Sequence, residues 1–182
     1  MLSCFFTRHP RLRKAVLWAA LASLPTVGAA VEESELKAAI VYNLLLFVDW
    51  PAERAPSPTN ALVLCLRSGS ELQAPLEKLA LRPVREARIE LRQLSPQSDV
   101  RPCHVLYCDG PEGERAALYR RIAGPSAPVV IADESSFASE LTAIQLRRKE
   151  SKFALEISMA AIRHAGVQVS SKLLRMAKVT QE

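Results

Sequence analysis

The chain has 182 residues, 49% of them hydrophobic, with 24 Lys and Arg against 19 Asp and Glu. That apolar share supports a true core and excludes a disordered or low-complexity chain. The net charge of +5 suggests an acidic partner, but Arg8, Arg11, Arg13 and Lys14 supply four of the bases, and residues 1–30 hold no acid. The remainder, 31–182, is nearly neutral with 20 bases against 19 acids. Arginines 82, 85, 88 and 92 are interspersed with Glu86 and Glu90 and have no aromatic platform beside them, so nucleic acid is not an expected partner.

Residues 1–30 read as a cleaved secretory signal: the basic patch is followed by an apolar run from Ala15 to Leu24, then by the small residues Val27 to Ala30. The run is well short of the roughly 20 apolar residues of a membrane span. Cys4 precedes the basic patch, the wrong place for a lipid-modified cysteine. An exported, periplasmic protein with a single domain over 31–182 is expected.

From Ser34 to Asp49 the chain is apolar on nearly every face, with Leu36, Ile40, Leu44, Phe47 and Val48 as the main stripe, predicting a buried helix ended by Trp50 and Pro51. Ala61 to Leu66 is a continuous apolar run, as in a strand covered on both faces. A helix is expected near Glu71 to Ala80, with Leu72, Leu76 and Leu79 on one side. A more exposed strand follows at Ile89, Leu91 and Leu94, a third at His104 to Cys108, a helix near 112–123, and a fourth strand at Ala127 to Ala132. Alternating strands and helices predict a mostly parallel sheet flanked by helices. Thr142 to Arg148 and Phe153 to Ile157 are then joined by only four polar residues, too short for a parallel crossover, so an antiparallel hairpin closes a three-layer α/β fold. Ser158 can cap a short helix that stops at Gly166, Val167 and Val169 resume strand alternation, and Ser170 or Ser171 opens a last helix.

Candidate chemistry is sparse. Asp109 and Asp133 would lie at the carboxyl ends of strands, where open α/β sheets bind ligands, but turns and helix starts use aspartate routinely. His104 and Cys103 are strand neighbours and point to opposite faces, so they form no dyad. His164 falls near a helix C-terminus. There is no phosphate loop, zinc spacing or serine elbow, so neither catalytic residues nor a metal or cofactor are expected, and an enzyme is not. Cys103 and Cys108 would stand about 16 Å apart along one strand, too far to pair, so any bridge uses Cys65, and Cys108 reads as a buried apolar thiol.

Three stretches carry a resemblance: Lys152 to Val179 (KFALEISMAAIRHAGVQVSSKLLRMAKV), Ala38 to Pro51 (AAIVYNLLLFVDWP) and Cys103 to Tyr107 (CHVLY). Together they resemble the closing signature, the opening helix and the cysteine-led central strand of the YfiR family of periplasmic proteins. The resemblance implies an α/β fold and a Cys65–Cys103 disulfide. It further implies a repressor that binds the periplasmic part of an inner-membrane diguanylate cyclase and lowers cyclic di-GMP output, with release set by redox state or by an outer-membrane lipoprotein, and a possible homodimer. A small-molecule binding or sensing domain at the Asp109–Asp133 edge is the alternative. The family's second disulfide has no counterpart, because 142–157 contains no cysteine, and no short motif places the partner-binding residues.

Overall fold

The computed structural model describes residues 32–110, 122, 127–133, 140–150 and 152–181. The expected export segment and most of the helix expected over 112–123 lie outside these residues. The described elements run α1 (Glu33–Leu45), β1 (Val48–Asp49), a 3-10 turn (Ala52–Arg54), β2 (Leu62–Arg67), α2 (Gln73–Ala80), β3 (Ile89–Leu94), β4 (Val105–Cys108), β5 (Val129–Asp133), β6 (Thr142–Lys149), β7 (Lys152–Ser158), α3 (Met159–His164), β8 (Gln168–Val169), α4 (Ser171–Met176) and β9 (Lys178–Thr180).

Seven strands form one mixed sheet in the order β3-β2-β4-β5-β6-β7-β9. The first five are mutually parallel, β7 runs antiparallel to β6, and β9 is parallel to β7. Because β3 lies on one side of β2 and β4 on the other, the winding reverses between β2 and β4, the topological switch point of such sheets. The fold is therefore α/β with a largely parallel sheet and a late antiparallel hairpin.

Alternation along the buried strands feeds two apolar layers. Leu62, Leu64, Leu66, Val105, Tyr107, Val129 and Ile131 face one layer, which α1, α2, α3 and α4 cover with Val41, Leu76, Ile162 and Leu173. Val63, Cys65, Leu106, Cys108, Val130 and Ala132 face the other, joined by Leu94, Val100, Cys103 and Ile122.

Three local outcomes differ from the sequence reading. First, α1 stops at Leu45 and not at Trp50: Phe47 N–H bonds Leu44 C=O in a tightened last turn, and Val48–Asp49 then pairs antiparallel with Val169–Gln168. Second, its buried face is Ala38, Val41, Leu44 and Leu45, while Leu36 is 39% exposed. A helix apolar all round has no strong moment to set its rotation, and Lys37, on the Val41–Leu44 side, orients it through a buried acid described below. Third, Lys178–Thr180 is a strand at the sheet edge rather than the tail of a helix. The expected caps are present: Ser158 Oγ accepts from Ala161 N–H and Ser170 Oγ from Leu173 N–H, and Gly166 takes the positive φ that ends α3.

Candidate functional site

The carboxyl edge of the sheet at the switch point collects buried polar groups. Asp109 follows β4 and Asp133 ends β5; alternation puts both on the face of Tyr107, and each is 5% exposed. A carboxylate so buried needs compensation. Asp109 Oδ2 accepts from Ser70 Oγ–H at 2.7 Å, and Ser70 Oγ in turn accepts from Leu72 N–H. Its Oδ1 lies 3.0 Å from Arg67 Nε, an ion pair in which neither atom makes an aligned hydrogen bond. The Arg67 side chain passes close over Gly110, whose φ is +80°, and an added Cβ there would fall 2.1 Å from Arg67 Nε. Glycine at 110 is thus the condition for the Arg67–Asp109 contact.

Asp133 is met by Lys37 Nζ of α1 at 3.1 Å, and the same ammonium reaches Glu33 at 2.9 Å and sits 5.8 Å from the centre of the Phe153 ring. Glu33 is also paired with Arg148 of β6. Burial alone would lower the Lys37 pKa; Glu33 and Asp133 outweigh it and hold the ammonium above its ordinary value. Between the two acids Tyr107, fully buried, presents a hydroxyl without a hydrogen-bond partner. Burial, then the carboxylates of Asp133, Asp109 and Glu71, push its ionisation far above the usual phenol range, so it is a neutral donor.

At the amino end of the same strands lies the second cluster. Cys65 and Cys103, both fully buried, are joined with their α-carbons 5.8 Å apart. Next to the bridge, His104 Nδ1 accepts from Val63 N–H at 3.0 Å, and Nε2 stands 2.9 Å from the Arg54 carbonyl. Arg54 in turn donates to the carbonyls of Cys103 at 2.8 Å and Ala127 at 3.2 Å, and Trp50 packs edge-on against the His104 ring at 5.9 Å. Burial lowers the His104 pKa, and the nearby Arg54 charge adds to that; the bond to the Arg54 carbonyl opposes it. Cys108 is buried, 2% exposed, on the disulfide side of the sheet. His164 closes α3.

Sequence reasoning placed Asp109 and Asp133 on the right edge but missed what holds them. Lys37 and Glu33 stand at helical spacing with Val41 and Leu44, the one sign in the sequence of a charged pair on the buried side of the helix. Arg54, separated from His104 by 50 residues, gave no sequence signal. Each acid is engaged by a base from its own chain, and among the described residues no three His, Cys, Asp or Glu side chains gather in metal-binding range.

No curated protein sequence matches this chain. Among solved structures it is similar to a conserved domain protein from Vibrio cholerae O1 biovar El Tor, at 12% identity and a TM-score of 0.46, over 82% of this chain and 60% of that one. The model of the YfiR/HmsC-like family matches residues 34–178, from the first turn of α1 to the start of β9. By that match over most of its length, this chain belongs to the YfiR/HmsC-like family.

Proposed function

We propose that this protein is a periplasmic regulator of cyclic di-GMP signalling that represses an inner-membrane diguanylate cyclase by binding the cyclase's periplasmic part. The observation that carries this reading is the family match over 34–178. The chemistry of the two clusters supports a binding role: the acids are tied to Lys37 and Arg67, and both nitrogens of His104 are bonded to backbone, so these groups serve the fold. Repression then amounts to tighter binding to the inactive state of the partner than to the active one. A change of redox state or competition by an outer-membrane lipoprotein withdraws the repressor, which acts as a monomer or a homodimer, and the Cys65–Cys103 bridge, formed on export, steadies it.

Deleting the gene and measuring cyclic di-GMP, alongside capture with the periplasmic domains of membrane cyclases, tests the proposal. A rise in the nucleotide together with one captured cyclase is expected; unchanged nucleotide and no capture remove it. A second reading, a small-molecule sensor at the carboxyl edge, is favoured by the Tyr107 hydroxyl, a donor without an acceptor at a switch point. It predicts that a periplasmic extract raises the melting temperature of the protein but not that of Tyr107→Phe.

A further inference from the structure

We infer that His104 makes this fold acid-sensitive: a proton added to its ring breaks the bond to Val63 and loosens the amino ends of β2 and β4 beside the Cys65–Cys103 bridge.

The roles of the two ring nitrogens follow from their partners. A peptide N–H can only donate, so the nitrogen facing Val63 N–H at 3.0 Å carries no proton. The carbonyl of Arg54 can only accept, so Nε2 carries the single proton and donates across 2.9 Å. The ring is therefore neutral, in one tautomer, with no freedom to exchange roles. An imidazolium would turn Nδ1–H onto Val63 N–H, donor against donor. The Val63 N–H cannot move to suit it, because Val63 lies within β2 and its carbonyl already takes the His104 N–H at 2.9 Å.

The charged surroundings add to the penalty. Arg54 is the charged side chain whose field reaches the ring, and it disfavours a second positive charge. Trp50 is the aromatic neighbour and does not titrate. From β2 the ring meets the backbone of Val63, and the Ala127 carbonyl accepts from Arg54. No carboxylate among the described residues is positioned to welcome the proton. Burial and the Arg54 charge act in one direction and outweigh the bond to the Arg54 carbonyl.

Loosening follows because His104 ties the starts of β2 and β4 together through both its ring and its backbone. Arg54 accepts from His104 through its carbonyl and donates through its guanidinium to Cys103 and Ala127. A charged ring keeps its Nε2–H bond to Arg54 but leaves the buried Val63 N–H without an acceptor, so the loss falls on the paired starts of β2 and β4 next to Cys103. For the sign, a histidine whose folded pKa lies below 6.5 adds stability that is present above pH 6.5 and lost as pH falls through the folded value. Within that window one proton separates the states, so the folded-to-unfolded ratio falls by up to about tenfold per pH unit.

The test follows three readouts on the oxidised full-length protein from pH 7.5 to 4.5: the His104 ring proton by NMR, tryptophan fluorescence with Trp50→Phe defining the Trp50 share, and the rate at which a phosphine reduces the bridge. The expected result is one transition below pH 6.5 in all three, with reduction accelerated severalfold on the acid side. His104→Asn, whose side-chain oxygen can keep the Val63 bond without titrating, flattens the fluorescence and reduction profiles if it folds. The wild-type NMR titration decides the matter alone if it does not. A ring that titrates at or above 6.5, or titrates while fluorescence and reduction rate stay constant, overturns the inference.

Discussion

Reducing the Cys65–Cys103 bridge in the wild-type chain isolates the cross-link from every other contact, because both sulfur atoms stay in their buried places. The bridge closes 38 residues, from the middle of β2 through α2 and β3 to the approach to β4. Loop entropy for a closure of that length gives roughly 3 to 4 kcal/mol, acting on the unfolded chain. With a urea slope of about 1.5 to 2 kcal/mol per molar for a domain of this size, the oxidised protein should unfold about 2 M later than the reduced one. Thiol counting fixes the state: denatured without reductant, the segment from 31 onward should offer one reactive cysteine, Cys108, and after reduction three. Midpoints within about 0.5 M of each other would show that the unfolded chain is not held open by this loop, contrary to the entropy argument. Three reactive thiols before reduction would remove the bridge itself.

Gly110→Ala drives a methyl group into the Arg67 guanidinium and adds a side chain at φ +80°, so thermal unfolding should show a loss of about 2 to 4 kcal/mol. Arg67→Ala in the same chain should remove the collision and leave the double variant more stable than the sum of the singles. Arg85, at φ +55°, spends backbone strain to place its guanidinium on Asp49 at 2.6 Å and near the carbonyls of Leu46 and Val48. Arg85→Gly should therefore be neutral to within about 0.5 kcal/mol, whereas Arg85→Ala, which keeps the strain and drops the contacts, should lose about 1 kcal/mol; the reverse order in urea melts would refute this account. Ser158→Ala and Ser170→Ala should each cost about 1 kcal/mol by the same measurement, as each leaves one helix-start N–H without its side-chain acceptor.

Local chemistry was legible and distant pairing was not. The continuous apolar runs at Ala61 and Ala127, and the short link before Phe153, carried enough of the pattern to define a parallel sheet with a closing hairpin. Ser158, Gly166 and Ser170 read correctly because caps and positive φ depend on a few adjacent residues. The end of α1 did not, since nothing in LLLFVD disfavours helix; Val48 leaves it for a partner 121 positions away at Val169. β9 has three residues, too few for a period, and exists because β7 offers an edge. Within the clusters, Asp109 and Asp133 were visible as acids at strand ends, but the bases that neutralise them come from α1 and from the neighbouring strand, so the net chemistry of the edge could be known only after folding.

The two clusters, taken together, constrain how a partner can act on the central strand. At its carboxyl end β4 is held by Arg67 of β2 against Asp109, and at its amino end by Arg54 through the carbonyl of Cys103 and by the bridge to Cys65. β4 also sits between β2 and β5, paired with both and buried along its length. A close-packed strand fixed at both ends cannot bend gradually; any displacement must first break one arginine contact. The amino end is the easier to release, because His104 beside its arginine, held below its ordinary pKa by burial, loses the Val63 bond when acid protonates it. A signal that reaches this domain through pH therefore enters beside the disulfide, and one that reaches it through the Asp109 edge must separate Arg67 from Gly110 before the strand can move.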